Sequence, residues 1–171
     1  AESTHYYDGN KTIYSRFNKV FIHSPKNLIE IKIPIKFWKR IIGHSRILRR
    51  LLRIDQYTIK LTNRNNLVII NDGKVYYYDG TKKKLTKTLR LKQCNQLLKN
   101  SICITPENEI IFGEYGTNKL RKSIPIYKSK DGGKSWKTIY QILPKKARHV
   151  HGCFWDDYEG KIWILTGDIK D

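Results

Sequence analysis

The sequence contains no methionine, three cysteines and five prolines among its 171 residues, and 15 acidic residues stand against 34 basic ones. Without a Met to mark a translation start, the chain is expected to be processed, trimmed or a piece of something longer. Cys94, Cys103 and Cys153 form no C-x-x-C pair and make an odd set, which argues against a zinc site and against a disulfide framework. Cys103, within Ser101-Ile102-Cys103-Ile104, is expected to pack as a small hydrophobe. No run approaches the ~18 apolar residues of a membrane-spanning helix, and no charged-then-apolar leader opens the chain. Unpaired thiols and no visible leader favour a reducing, cytoplasmic compartment. No motif asks for a cofactor, so none is expected.

What is present is a core. Hydrophobic residues at 39% and aromatics at 12% exclude a disordered chain despite the charge, and the length suits one domain. The formal net charge is +19, distributed as +9 over 1–60, +7 over 61–100 and +3 over 101–171. An anionic polymer such as nucleic acid would feel the first hundred residues most. A lysine-rich solvated surface is the plainer reading, since the lysines are scattered and no nucleic-acid motif accompanies them.

One basic stretch is less scattered. Over 36–54 the chain reads KFWKRIIGHSRILRRLLRI, with Trp38, Ile41, Ile42, Leu48, Leu51 and Leu52 at helical spacing between cations. This predicts a basic amphipathic helix, broken at Gly43 into a short and a longer piece. Its apolar stripe is expected to dock on its own domain while the arginines snorkel. Lying on a membrane surface is the alternative.

The rest reads as strands. A hairpin is predicted at Thr12–Phe17 and Val20–His23, followed by period-two alternation from Ile29 to Ile35. Beyond the helix come 57–61, 67–70, 75–78 and 85–91, with turn signals at Asn65-Asn66, Asp72-Gly73 and Asp79-Gly80. The cycle returns at 101–105, 109–113, 124–129 and 136–143, and begins again at 149–155 and 161–166. Leu67–Ile70, Ile110–Gly113 and Ile162–Leu165 are equivalent second strands. Four short antiparallel strands per 40–50 residues, about one blade, is the period of a β-propeller; an independent four-stranded sandwich pair is the alternative, which explains the strands but not their recurrent order. The predicted organisation is an N-terminal strand region over 1–35, the basic helix over 36–54, and about two and a half blades over 55–171.

The sharpest motif is Ser129-Lys130-Asp131-Gly132-Gly133-Lys134-Ser135-Trp136. Asp131 is placed to accept the turn's own amides, the glycines permit positive φ, and Trp136 anchors the loop by packing. Tyr78-Asp79-Gly80-Thr81 reads as a degenerate copy. The octapeptide matches the Asp-box, the bacterial neuraminidase repeat, with Ser135 where Thr is usual. From about Arg49 to Asp171 the chain resembles the sialidase-like Asp-box propeller proteins that include glycosyl hydrolases. Besides the box, the resemblance rests on Arg49-Arg50-Leu51-Leu52-Arg53, Phe112-Gly113-Glu114-Tyr115, Arg148-His149-Val150-His151-Gly152, Lys161-Ile162-Trp163 and Thr166-Gly167-Asp168.

The resemblance implies an incomplete propeller, with the ring closed by further blades or other chains. It also implies a structural role for Ser129, Asp131, Gly133 and Trp136, away from any catalytic pocket. The sialidase catalytic set of three arginines, a Tyr-Glu pair and an Asp cannot be placed here, since Ile33-Pro34 and Ile124-Pro125 both lack the preceding arginine. Two carboxylates are the minimum for most glycosidases, and Glu114 and Asp168, each at the end of a second strand, are the candidates; bonding loop amides is the competing role for both.

The expected ligand wall comprises Tyr115, Arg148, His149 and His151. In a strand, His149 and His151 project to the same face, where they would contact a sugar, hold a metal or make structural hydrogen bonds. Recognition of a glycan or glycoconjugate through the propeller mouth is therefore the leading expectation. Glycoside hydrolysis is the second, and assembly or anionic-polymer binding through the basic surface the third.

Overall fold

In the computed structural model, which describes residues 2–52, 54, 56–62, 66–99 and 101–167, the protein is all-β. Strands β1 (Ser3–Tyr7), β2 (Thr12–Arg16), β3 (Lys19–Ser24) and β4 (Asn27–Lys32) form a first sheet in chain order. Two helices follow, α1 (Phe37–Ile42) and α2 (Arg46–Leu51). The second sheet is β5 (Thr58–Leu61), β6 (Leu67–Asn71), β7 (Lys74–Asp79) and β8 (Lys84–Arg90). The third is β9 (Cys103–Ile104), β10 (Ile110–Gly113), β11 (Ile124–Ser129) and β12 (Lys137–Ile142). The fourth is the two-stranded hairpin of β13 (His149–Asp156) and β14 (Lys161–Gly167). The chain divides within β5 into two compact units, 1–59 and 60–171.

In the first unit, alternation sends Ile13, Val20, Ile22 and Ile31 to one buried face, while Tyr14 and Phe21 stack at 4.9 Å on the other. The sequence reading missed β1, so a region expected to hold a hairpin and one strand is a full four-stranded sheet. The reason is local: Ser-Thr-His-Tyr-Tyr has no apolar alternation, and β1 is an edge strand held by pairing to β2.

The basic segment departs further from expectation. It forms two helices of six residues each, not a short and a longer piece. Gly43 caps the first, its amide donating to the Lys39 carbonyl, and the Phe17 ring stands where a side chain on this residue would be. The expected docking of the apolar stripe does not occur. Phe37, Trp38, Ile41, Ile47, Leu48, Leu51 and Leu52 are all exposed, and α1 buries nothing. Each piece is under two turns long; Gly43 lies against the Phe17 ring, and Ile54, after the second helix, is buried.

The second unit is a stack. Leu67–Ile70 of β6 are wholly buried. Ile110 and Phe112 of β10 join Val68, Ile70 and Val75 in one core, between the second and third sheets. Ile111 points the other way and meets Val150 and Cys153 in a second core, between the third sheet and β13–β14. The three sheets thus pack face to face in chain order. All three cysteines are free and buried, each thiol raised chiefly by burial, that of Cys153 to about 12.

Candidate functional site

Antiparallel pairing puts the β10–β11 loop, the β12–β13 connection and the start of β13 at one end of the stack. The β9–β10 and β11–β12 turns lie at the other. The predicted ligand residues fall at the first end and the octapeptide turn at the second.

Glu114, open in the sequence between a catalytic role and bonding loop amides, takes the second: it points into the protein and is 1% exposed. Its Oε1 accepts the Lys92 amide at 2.9 Å and the Tyr127 hydroxyl at 2.8 Å, and its Oε2 accepts the Gln93 amide at 2.5 Å. Burial, then the bond to Glu114, pushes the Tyr127 phenol well above its ordinary value. A carboxylate with three donors converging on two oxygens is a structural acceptor tying the 91–97 segment to β11. No signal in the sequence links these partners, which lie 13 to 22 residues away. Asp168, the other carboxylate candidate, lies outside the described residues.

The remaining wall residues do converge. The Tyr115 ring centroid is 4.4 Å from that of His149 and 5.7 Å from that of His151, and the two imidazoles are 4.8 Å apart. The strand that carries both histidines is not regular, because a bulge between Val150 and Gly152 leaves His151 as the extra residue opposite Thr166 and Leu165. His149 Nδ1 lies 3.1 Å from the Gly116 carbonyl, to which it donates. Arg148 Nε donates to the Thr117 carbonyl at 3.1 Å. Both contacts fasten the β10–β11 loop to the start of β13. His151 lies against Gly167, where an added Cβ would sit 2.0 Å from its Nε2. Among the described residues no group of three His, Cys, Asp or Glu side chains is placed to hold a metal.

At the same end is a cleft of about 320 Å³ lined by Lys92, Gln93, Lys122, Ser123, Pro125 and Gln141, none of which the sequence reading singled out. Gln93 donates from Nε2 to the Ser123 carbonyl at 2.6 Å, and its buried Oε1 has no hydrogen-bond partner among the described residues.

At the far end, Asp131 Oδ1 accepts the Lys134 and Ser135 amides and the Ser129 hydroxyl, and Oδ2 accepts the Ser135 hydroxyl. Burial alone would raise this carboxyl; the bonds from Ser135, Ser129 and Lys134 outweigh it and hold it below its ordinary value. Gly133 has φ +100, and its amide donates to Ser129 Oγ at 2.8 Å. Trp136 reaches across to the second sheet, donating to Thr88 Oγ1 at 3.0 Å and standing edge-on to Phe112 at 5.0 Å. Asp79 caps the β7–β8 turn through the Thr81 and Lys82 amides. The sequence reading passed over two further aspartates that work in the same way, Asp8 and Asp156. No known protein-family model matches the chain, and no curated protein matches it.

Proposed function

We propose that this chain contributes blades to a sialidase-like Asp-box β-propeller and recognises a glycan at the end bearing Tyr115, Arg148, His149 and His151. The observation that carries this reading is the gathering of three rings within 4.4–5.7 Å of one another at the loop end of a face-to-face stack. An aromatic face packs on the apolar side of a pyranose while imidazole nitrogens bond its hydroxyls. The neighbouring cleft supplies cations, Lys92 and Lys122, and an unsatisfied buried acceptor on Gln93. That combination suits a sugar with an acidic substituent and a hydroxyl to donate. Consecutive four-stranded meanders packed in chain order support the propeller part of the reading. Further blades or other chains would close the ring.

Recognition is preferred to hydrolysis because Glu114 is wholly engaged by its three donors. A glycan array probed at low and near-molar salt, with mass spectrometry of the spots, tests the proposal. Discrete, salt-tolerant binding weakened by Tyr115→Ala and His149→Ala is the expected result. Unchanged affinity in both variants removes the wall, and binding confined to acidic polymers and erased by salt replaces it with bulk charge. Mass loss at bound spots would restore the hydrolase reading.

A further inference from the structure

Within 37–52 seven large apolar side chains stand in solvent, among them Phe37 at 77%, Ile47 at 78% and Leu51 at 74% exposure. Scattered exposed hydrophobes are ordinary, but so many in one short segment are not. The same segment, extended to 36–54, holds seven cations (Lys36, Lys39, Arg40, Arg46, Arg49, Arg50 and Arg53) and no carboxylate. The described helices place apolar and basic positions side by side, and Lys39 Nζ stands 5.5 Å from the Trp38 ring centroid. Gly43, seated on Phe17, fixes the junction between the helices, and Arg49 lies over the same ring at 5.5 Å.

We propose that this helical pair is a peripheral membrane anchor that lays Phe37, Trp38, Ile41, Ile47 and Leu51 into the headgroup region of an anionic phospholipid surface. Charge complementarity selects that occupant. A second copy would set cations against cations, whereas a layer of phosphates is opposite in charge, and cations flanking exposed aromatic and branched apolar residues are the pattern of interfacial helices. Short helices suffice, because such a segment lies in the interface and spans nothing. The inference does not depend on glycan recognition.

The test is co-sedimentation of the full chain with phosphatidylcholine vesicles, with and without one-third phosphatidylglycerol, at physiological salt. Binding to the anionic vesicles alone is expected. The triple variant Phe37→Ser, Ile47→Ser, Leu51→Ser should weaken it about tenfold or more. All three residues are exposed, so an unchanged thermal midpoint should accompany that loss. Lys82→Gln, Lys83→Gln, Lys84→Gln, three cations removed in the β7–β8 turn and at the start of β8, should weaken it far less. Brominated acyl chains should quench fluorescence in the parent and not in Trp38→Phe. No binding to anionic vesicles overturns the proposal, as does a triple apolar variant that binds like the parent. Equal losses in the apolar and lysine triples would assign the binding to bulk charge and overturn it too. A parent that is dimeric and an apolar triple that is monomeric, with no vesicle binding, would give the face to a second copy instead.

Discussion

The Tyr127 hydroxyl donates to Glu114 Oε1 at 2.8 Å in a site closed to solvent, on an oxygen that also accepts the Lys92 amide. Glu114→Gln leaves at most one oxygen for three donors and turns an NH2 toward the rest. It should destabilise the protein by about 2–3 kcal/mol, and Tyr127→Phe by about 1–2 kcal/mol. Denaturant titration of both singles and the double variant measures their coupling. A Glu114→Gln variant as stable as the parent would refute the structural role and return Glu114 to the list of chemical candidates.

Gly167 and His151 face each other so closely that a methyl on the glycine would take the place of the imidazole. Gly167→Ala should turn His151 out of the ring cluster at small cost in stability, because the displaced group is the end of a half-buried side chain. Histidine Cε1 proton resonances report the change directly. The His151 resonance should shift strongly as ring-current contact with Tyr115 and His149 is lost, and glycan affinity should fall with it. An unmoved resonance would mean the three rings are not assembled in solution.

Trp136 ties a hairpin of the third sheet to β8 of the second through its bond to Thr88 and its edge contact with Phe112. Trp136→Phe keeps most of the ring and deletes the donor, so it should cost about 1–2 kcal/mol. Thr88→Val removes the acceptor, and the pair should couple by about 0.5–1 kcal/mol in a double-mutant cycle. Additive effects would show that the indole N–H is satisfied elsewhere.

How much of this was legible depended on whether the cause was local. The runs Leu67–Ile70 and Ile110–Gly113 announce strands buried on both faces, and Asp72-Gly73, with φ of 50° and 71°, announces the turn between β6 and β7. Asp131 and Trp136 were legible because a turn that satisfies its own amides does so within eight residues. Strand β1 was not, since pairing rather than patterning makes it a strand. For Glu114 the bonding of loop amides was legible as one of two roles, but its particular partners were not: they are amides 21 and 22 residues upstream and a phenol 13 downstream. The helix stripe was correctly read as apolar and basic. Its exposure was not legible, since spacing gives a stripe but not what covers it.

Four aspartates, Asp8, Asp79, Asp131 and Asp156, cap turns, and each carboxyl is held below its ordinary value. The leading causes are the Lys11 amide for Asp8, the Lys82 amide for Asp79 and the Trp163 indole for Asp156. For Asp131, burial opposes the shift and the Ser135, Ser129 and Lys134 bonds overcome it. Since the folded value lies below the unfolded one of about 3.9, the stabilisation is complete above that pH and disappears as pH falls through the folded values. Thermal midpoints should therefore be level near neutrality and fall steeply below about pH 4. Asp131→Asn keeps one acceptor oxygen but cannot titrate, so its midpoint should start lower and decline less in acid. An acid limb identical in parent and variant would show that the Asp131 bonds to Ser135 and Lys134 are not made in solution, and with them would go the physical basis for the turn's rigidity.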